Sequence, residues 1–291
     1  MTQTSQSAAN YCYRHPNRQS FVLCQRCGRT ICGECQTPGA VGVICPECMK
    51  QQRATAPRTK PAILTRMTGA AAPVVTYAII GICIVVFILQ SLPGIGGTVT
   101  DALRYAGIYS YRTGAQVPVT GGLMVGSFEP WRMFTSIFAH ASIIHIALNM
   151  YTLWLFGMIL EPMLGRVRYL VLFLLSGLAG SLGVLVLTPP NVSVIGASGA
   201  IFGMMAAFLI IQRRLGGNAT QLLILVGINL VIGFVIPGIA WQAHLGGLVG
   251  GALVGLIYVE TRRASRKNLQ IVLLSALTVV MILVSCWRLF V

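Results

Sequence analysis

An all-α polytopic membrane protein, six helices plus a seventh at the C-terminus behind a small metal-stabilised head, is the fold class this sequence predicts. Three observations predict it. Apolar residues make up 55% of the 291 and charged residues only 9%, with a mean hydropathy of +0.77; soluble domains are about a quarter charged. Apolar stretches of span length follow one another from residue 73 to the end of the chain. Seven of the nine cysteines are crowded into Cys12–Cys48 at two-residue spacing.

The head, residues 1–49, reads Cys12-x-x-His15, Cys24-x-x-Cys27, Cys32-x-x-Cys35 and Cys45-x-x-Cys48. A pair two residues apart closes a tight knuckle on one ion, and structural zinc takes four such ligands. Eight ligands imply two structural Zn²⁺. So short a segment with few large apolar side chains buries little core, so metal supplies much of its folding free energy. Only four residues separate Cys27 from Cys32, which leaves a sequential arrangement possible but crowded. The spacing resembles cross-braced B-box zinc domains. That resemblance implies one ion on Cys12, His15, Cys32 and Cys35 and another on Cys24, Cys27, Cys45 and Cys48. With every ligand used no open position remains for catalysis, and the head reads as a binding or regulatory module for a cytosolic protein partner.

Residues 1–60 are polar, so no cleavable signal is expected. Residues 50–72 form a linker carrying Arg53, Arg58, Lys60 and Arg66, suited to anionic head groups. Spans are expected at about 73–92, 133–158, 167–187, 198–212, 219–236, 241–259 and 269–287, since a crossing takes about 20 apolar residues. The fourth is short, as for a helix that starts inside the protein. A six-span core at 73–260 and a terminal loop and helix at 261–291 complete the division.

The net charge of +15 belongs to topology, not to nucleic acid. Seventeen Lys and Arg fall on the side shared by the head and four on the other. The positive-inside rule therefore places the N-terminus in the cytoplasm and the C-terminus outside, in a plasma membrane. A reducing cytosol is also where thiolate zinc sites persist.

Polar residues inside spans mark function. Ser198 lies at the outer end of the fourth span, His244 in the first turns of the sixth, and His140, His145 and Asn149 in the outer half of the second. Gly199, Gly203 and Ala207 recur every four residues, as do Gly247, Gly251 and Gly255. Small residues at this spacing let helix backbones approach closely, and packing the two faces together brings His244 beside Ser198. A serine needs a base to become a nucleophile, and His244 is in place to serve. Of the six acidic residues (Glu34, Glu47, Asp101, Glu129, Glu161 and Glu260) none lies in a span at that depth, so a hydrolase here uses a Ser–His dyad. His145 and Asn149, four residues apart on one helix face, can donate to a developing oxyanion, as can the backbone N–H of Ser198 at a helix start. His140 is off that stripe and reads as structural. The histidines lack the spacing and glutamate of a zincin.

These residues resemble the rhomboid family of intramembrane serine proteases. The matching pieces are Trp131-Arg132, His140-x4-His145-x3-Asn149, Gly157-x3-Glu161-x3-Gly165, Gly196-x-Ser198-Gly199 and Ala243-His244-x-x-Gly247-x3-Gly251. The resemblance covers about residues 73–260. It implies Ser198 as nucleophile, His244 as base and His145, Asn149 and the Ser198 backbone as oxyanion hole. Phe202 stands where the family commonly has a tyrosine stacked on the catalytic histidine. The loop 94–130 corresponds to the family's structural loop against the outer leaflet, and the seventh span to its 6+1 form. Substrates would be transmembrane proteins cut near the outer face of the bilayer. The alternative reading is a non-catalytic scaffold of the same fold that binds membrane helices while the head recruits cytosolic partners.

Overall fold

The computed structural model describes residues 10–39, 42–55, 73–214 and 216–290. The chain forms two compact units, Met1–Leu64 and Thr65–Val291.

The first unit is built around its cysteines. Its buried core is Ile31 together with Cys12, Cys24, Cys32, Cys35, Cys45 and Cys48, too little apolar surface to hold a fold alone. Single β-bridges join Tyr11 to Gln19 and Leu23 to Thr30. Thr37–Pro38 pairs antiparallel with Val43–Ile44. The helix Pro46–Thr55 continues through residue 50, where the linker was expected to begin; the linker from residue 56 on lies outside the described residues.

The second unit is a helical bundle. Its spans are Val74–Gln90, Ile143–Leu164, Arg166–Leu187, Ser198–Arg214, Thr220–Val235, Trp241–Glu260 and Lys267–Cys286. The second, third and sixth spans, and the stretch Ala264–Leu289 around the seventh, are long and apolar enough to cross a membrane by themselves. The fourth has 17 residues, a rise of about 25 Å, which is short of the roughly 30 Å hydrocarbon core. It is the enclosed helix of the bundle, buried from Gly199 through Ala207.

The second span departs from the expected 133–158. Residues Arg132–Thr135 form a short helix, Ser136–Phe138 a 3₁₀ turn, and the span starts only at Ile143. The Ser142 hydroxyl caps it by accepting the His145 N–H at 3.2 Å, as N-cap serines do. Hydropathy cannot tell one long apolar helix from a short apolar piece folded beside it. Here Met133 and Ile137 are spent against the third span: the Ser181 hydroxyl donates to the Met133 carbonyl at 2.9 Å, and Ile137 fills the space beside Gly177. His140 consequently lies before the helix and not in it.

Glu161 lies near the end of the second span, and the structure buries it at 2% exposure. Its carboxylate accepts the N–H groups of Val75 and Thr76, both at 2.8 Å, and the Thr76 hydroxyl at 2.7 Å. A carboxylate there satisfies orphan donors at the start of the first span and complements its dipole. Gly157 makes the approach possible, since a side chain on it would overlap Thr76.

The glycine faces meet as spacing predicts. A side chain on Gly247 would collide with the Gly199 carbonyl, one on Gly251 with Gly203, and one on Gly255 with Ala207. The sixth span has a second such face: Gly246 abuts the Ala179 carbonyl and Gly183, and Gly250 abuts Ala179. Three helices thus share backbone contact around one seam. The seventh span is held at one end by a polar chain. Arg168 Nε donates to Gln270 Oε1 at 2.8 Å, and Gln270 Nε2 donates to Thr261 Oγ1 at 2.6 Å.

The loop after the first span carries a helix, Gly96–Leu103, and a hairpin, Gln116–Val119 with Gly122–Val125. Arg132 fastens it: Nε donates to Glu129 at 2.5 Å, Nη1 to the Asp101 carbonyl, and the guanidinium lies 4.2 Å over the Tyr109 ring. Tyr105–Ala106 then pairs antiparallel with Ser193–Val194, tying this loop to the segment that leads into Ser198.

Candidate active site

The segment before the fourth span sets the site. Gly196 has φ +128°, a conformation open to glycine and strained for other residues. Its N–H donates to the Ser136 carbonyl at 2.8 Å. A side chain on it would meet Cε1 and Nε2 of His145 at 2.8 and 2.9 Å. Gly196 is therefore required twice, for the turn and for the imidazole against it. The helix starts two residues later at Ser198, so the first N–H groups, Ser198 among them, have no acceptor inside the helix.

Ser198 Oγ lies 3.0 Å from His244 Nε2, within hydrogen-bond distance. The Phe202 ring stacks on the His244 imidazole, centroids 4.2 Å apart and planes inclined by 12°. Gly199 permits the approach: a side chain there would sit 3.2 Å from the Ala243 carbonyl. His244 is buried at 7% exposure, whereas Ser198 is half-buried.

No carboxylate orients His244. Its Nδ1 is buried and has no hydrogen-bond partner among the described residues, and all six acidic residues are engaged elsewhere. Glu34 pairs with Arg18, Glu47 with Arg14, Asp101 with Arg104, Glu129 with Arg132 and Glu260 with Arg214; Glu161 caps the first span. What covers Nδ1 is Gly233 of the fifth span, where an added side chain would lie 3.0 Å away. Sequence reading missed this contact. Val226 and Gly233, seven residues apart and so on one helix face, are the buried residues of the fifth span.

The His145 imidazole reaches the same place from the second span. The Ala141 N–H donates to its Nδ1 at 3.4 Å; a neutral ring accepting there carries its proton on Nε2, the atom beside Gly196. Asn149 is buried one turn further along, and its Nδ2 donates to the His145 carbonyl at 2.9 Å, an intrahelical bond, with no bond to Ser198. His140, expected off the His145 stripe, in fact touches it: the two rings lie edge to face with centroids 5.2 Å apart. The His140 N–H donates to Gln90 Oε1 at 3.0 Å, linking this segment to the end of the first span.

In the head, the ligand atoms of Cys12, His15, Cys32 and Cys35 lie within 4.8 Å of one another, as do those of Cys24, Cys27, Cys45 and Cys48. A tetrahedral zinc has S···N edges of about 3.5 Å and S···S edges of about 3.8 Å. His15 Nδ1 is 3.3, 3.4 and 3.8 Å from the sulfurs of Cys32, Cys35 and Cys12, and Cys27 is 3.7 Å from Cys45. Backbone N–H groups of Cys45 and Cys48 donate to Cys24 and Cys45 sulfurs at 3.2 and 3.4 Å, as metal thiolates require of their surroundings. The donor set and spacing fit a metal in both clusters.

A family model described as the Rhomboid domain matches residues 127–261, the interval that contains Ser198 and His244. The chain is 33% identical over 215 residues to the rhomboid protease GluP of Bacillus subtilis, covering 71% of this chain and 39% of that protein. It is 35% identical over 150 residues to the putative rhomboid protease YdcA of the same organism, covering 50% of this chain and 75% of the relative. RHOMBOID-like protein 1 of Arabidopsis thaliana is 36% identical over 145 residues, which are 47% of this chain and 36% of that protein. The chain thus spans less than half the length of two of these relatives and three quarters of the third. On the YdcA match and the family model together, the chain belongs to the rhomboid family.

Proposed function

We propose that this multi-pass membrane protein is an intramembrane serine endopeptidase working through Ser198 and His244. The observation that carries the reading is the 3.0 Å contact between Ser198 Oγ and His244 Nε2, with Nδ1 of the same ring left without a carboxylate. His244 takes the hydroxyl proton as Ser198 Oγ bonds to the scissile carbonyl carbon. The carbonyl oxygen becomes an oxyanion, received by the Ser198 N–H and His145 Nε2–H. Asn149 joins them by turning its remaining amide hydrogen outward. The imidazolium then gives its proton to the leaving nitrogen as the peptide bond breaks. Water, deprotonated by His244, hydrolyses the acyl-enzyme and returns the proton to Ser198. Phe202 holds the imidazole plane, while His140 supports His145 from behind.

The charge distribution supports a cytoplasmic N-terminus and an outward-facing site; in the plasma membrane, where we place the chain, transmembrane substrates are then cut near the outer face. Two Zn²⁺ fill the clusters of the head and act structurally, since neither leaves a coordination position open. Residues 1–49 and 73–260 are the two functional modules, with 261–291 an accessory loop and span.

The test is cleavage of a model transmembrane substrate in proteoliposomes. Ser198→Ala and His244→Ala each abolish it; undiminished cleavage by either variant sinks the mechanism.

A further inference from the structure

The cysteine-rich head carries a feature that neither its ligand clusters nor the peptidase reading uses. Phe21, Val22 and Leu23 stand in sequence on its surface with exposures of 73, 40 and 52%. Their backbone is held by hydrogen bonds. The Ser20 hydroxyl donates to the Ile31 carbonyl at 2.7 Å and accepts the Val22 N–H at 3.2 Å. The Ile31 N–H donates to the Val22 carbonyl at 2.8 Å, and Leu23 bridges to Thr30. The triplet runs directly into the Cys24-x-x-Cys27 knuckle. A contiguous run of three exposed apolar side chains on so small a unit marks an interaction surface.

Charge identifies the partner. Arg26 and Arg29 lie on the knuckle beside the triplet, and Lys50 on the helix Pro46–Thr55. The two carboxylates of the head are taken by Arg14 and Arg18. Among the described residues Arg26 donates to the Cys48 carbonyl at 3.3 Å and Arg29 lies 4.8 Å over the Tyr13 ring; both are exposed, and neither is paired with a carboxylate. The run from Cys48 to Thr100 contains Lys50, Arg53, Arg58, Lys60 and Arg66 and no Asp or Glu. Size argues the same way. Three side chains fall far short of the roughly 800 Å² per partner of a stable protein interface, but they suffice for a surface to which the head is already tethered. The head is joined to the first span by the same chain, and 18 residues span at most about 60 Å.

We infer that the Phe21-Val22-Leu23 tip is a membrane-docking site that enters an anionic lipid surface, with Arg26 and Arg29 on the phosphates beside it. The apolar tip enters the head-group boundary while each arginine adds attraction to anionic lipid. The inference does not depend on the peptidase chemistry.

The experiment uses the full chain in nanodiscs, with a benzophenone amino acid at position 21 or, as a control, at exposed position 34. Discs contain either phosphatidylglycerol with phosphatidylcholine or phosphatidylcholine alone. Irradiation is expected to give lipid adducts at position 21, several-fold above position 34, and fewer in the zwitterionic discs. Arg26→Glu with Arg29→Glu should reduce the adducts by at least about fivefold for each charge removed, with the metal content of the head unchanged. Lipid adducts at position 21 no more abundant than at 34 overturn the inference. So do adducts chiefly to protein, whether this chain or a second copy, and so does yield indifferent to lipid charge. Loss of metal from the arginine variant passes the decision to the lipid comparison in the parent chain, which needs no substitution at Arg26 or Arg29.

Discussion

The carbonyl oxygen of Gly199 occupies the space that a side chain on Gly247 would need. This contact sets the distance between the fourth and sixth spans, and His244 lies one turn above it beside Ser198. Gly247→Ala pushes backbone against backbone, with no flexible side chain to give way. Displacement of a catalytic group by about 1 Å costs on the order of a hundredfold in rate. The expected outcome is a loss of that size both in substrate cleavage and in the rate of Ser198 labelling by a fluorophosphonate. Full labelling with the substitution in place would show that the seam does not position the dyad.

On the proposed mechanism Phe202 serves by its face, so Phe202→Tyr is expected to keep cleavage within about twofold. Phe202→Ala removes the stack on His244, an interaction of about 0.5–1.5 kcal/mol, and should lower kcat/KM about two- to tenfold with KM little changed. Equal activity in the alanine variant would make the stack incidental.

Glu161 holds two N–H groups and a hydroxyl of the first span in a buried place. Glu161→Ala leaves those donors unsatisfied, at a cost of about 1–3 kcal/mol, and the thermal midpoint in detergent falls. Glu161→Gln keeps one acceptor oxygen and is expected to lose less. Matching midpoints for the two variants would refute the capping role.

The ligand pairing of the head can be counted. With Cys12 and Cys32 on one ion, Cys12→Ser with Cys32→Ser leaves one metal per chain, while Cys12→Ser with Cys24→Ser leaves none. Sequential pairing gives the opposite result for both, and metal analysis of purified chain decides.

Glu129 supplies a pH dependence outside the spans. The Ser127 hydroxyl, at 2.7 Å, and then the Arg132 guanidinium hold its carboxyl below the usual range, against the opposing effect of burial. A carboxyl lowered on folding adds stability that is fully present above its unfolded pKa and is lost as pH falls through the folded one. Parent and Glu129→Gln should therefore differ in thermal midpoint at neutral pH and converge in acid. A gap that persists there would assign the effect to shape, not charge.

Most of the candidate site was legible because helices impose fixed spacing. Ser198, Gly199 and Gly203 on one helix and His244, Gly247 and Gly251 on another could be brought together on paper, and the structure brings them together. Three features were hidden. His140 needed the break at Ala139–Ser142, which hydropathy does not register. Gly233 belongs to the fifth span, and nothing in its own stretch announces that it covers His244. Glu161 looked like a charge at a helix end, whereas it caps a helix some 85 residues earlier in the chain.

By itself the sequence determined the helical membrane class, the eight cysteine and histidine side chains of the head that could hold metal, and the lack of any Asp or Glu in the stretches around Ser198 and His244. These follow from composition and local period, which the chain carries wherever it folds. Tertiary structure alone decided the second glycine face of the sixth span, the partner of Glu161, the grouping of alternate ligand pairs and the closeness of His140 to His145. Each depends on which distant backbone arrives at a given surface, and in a chain so rich in small and apolar residues many surfaces could have met. Close packing leaves one set of contacts in place.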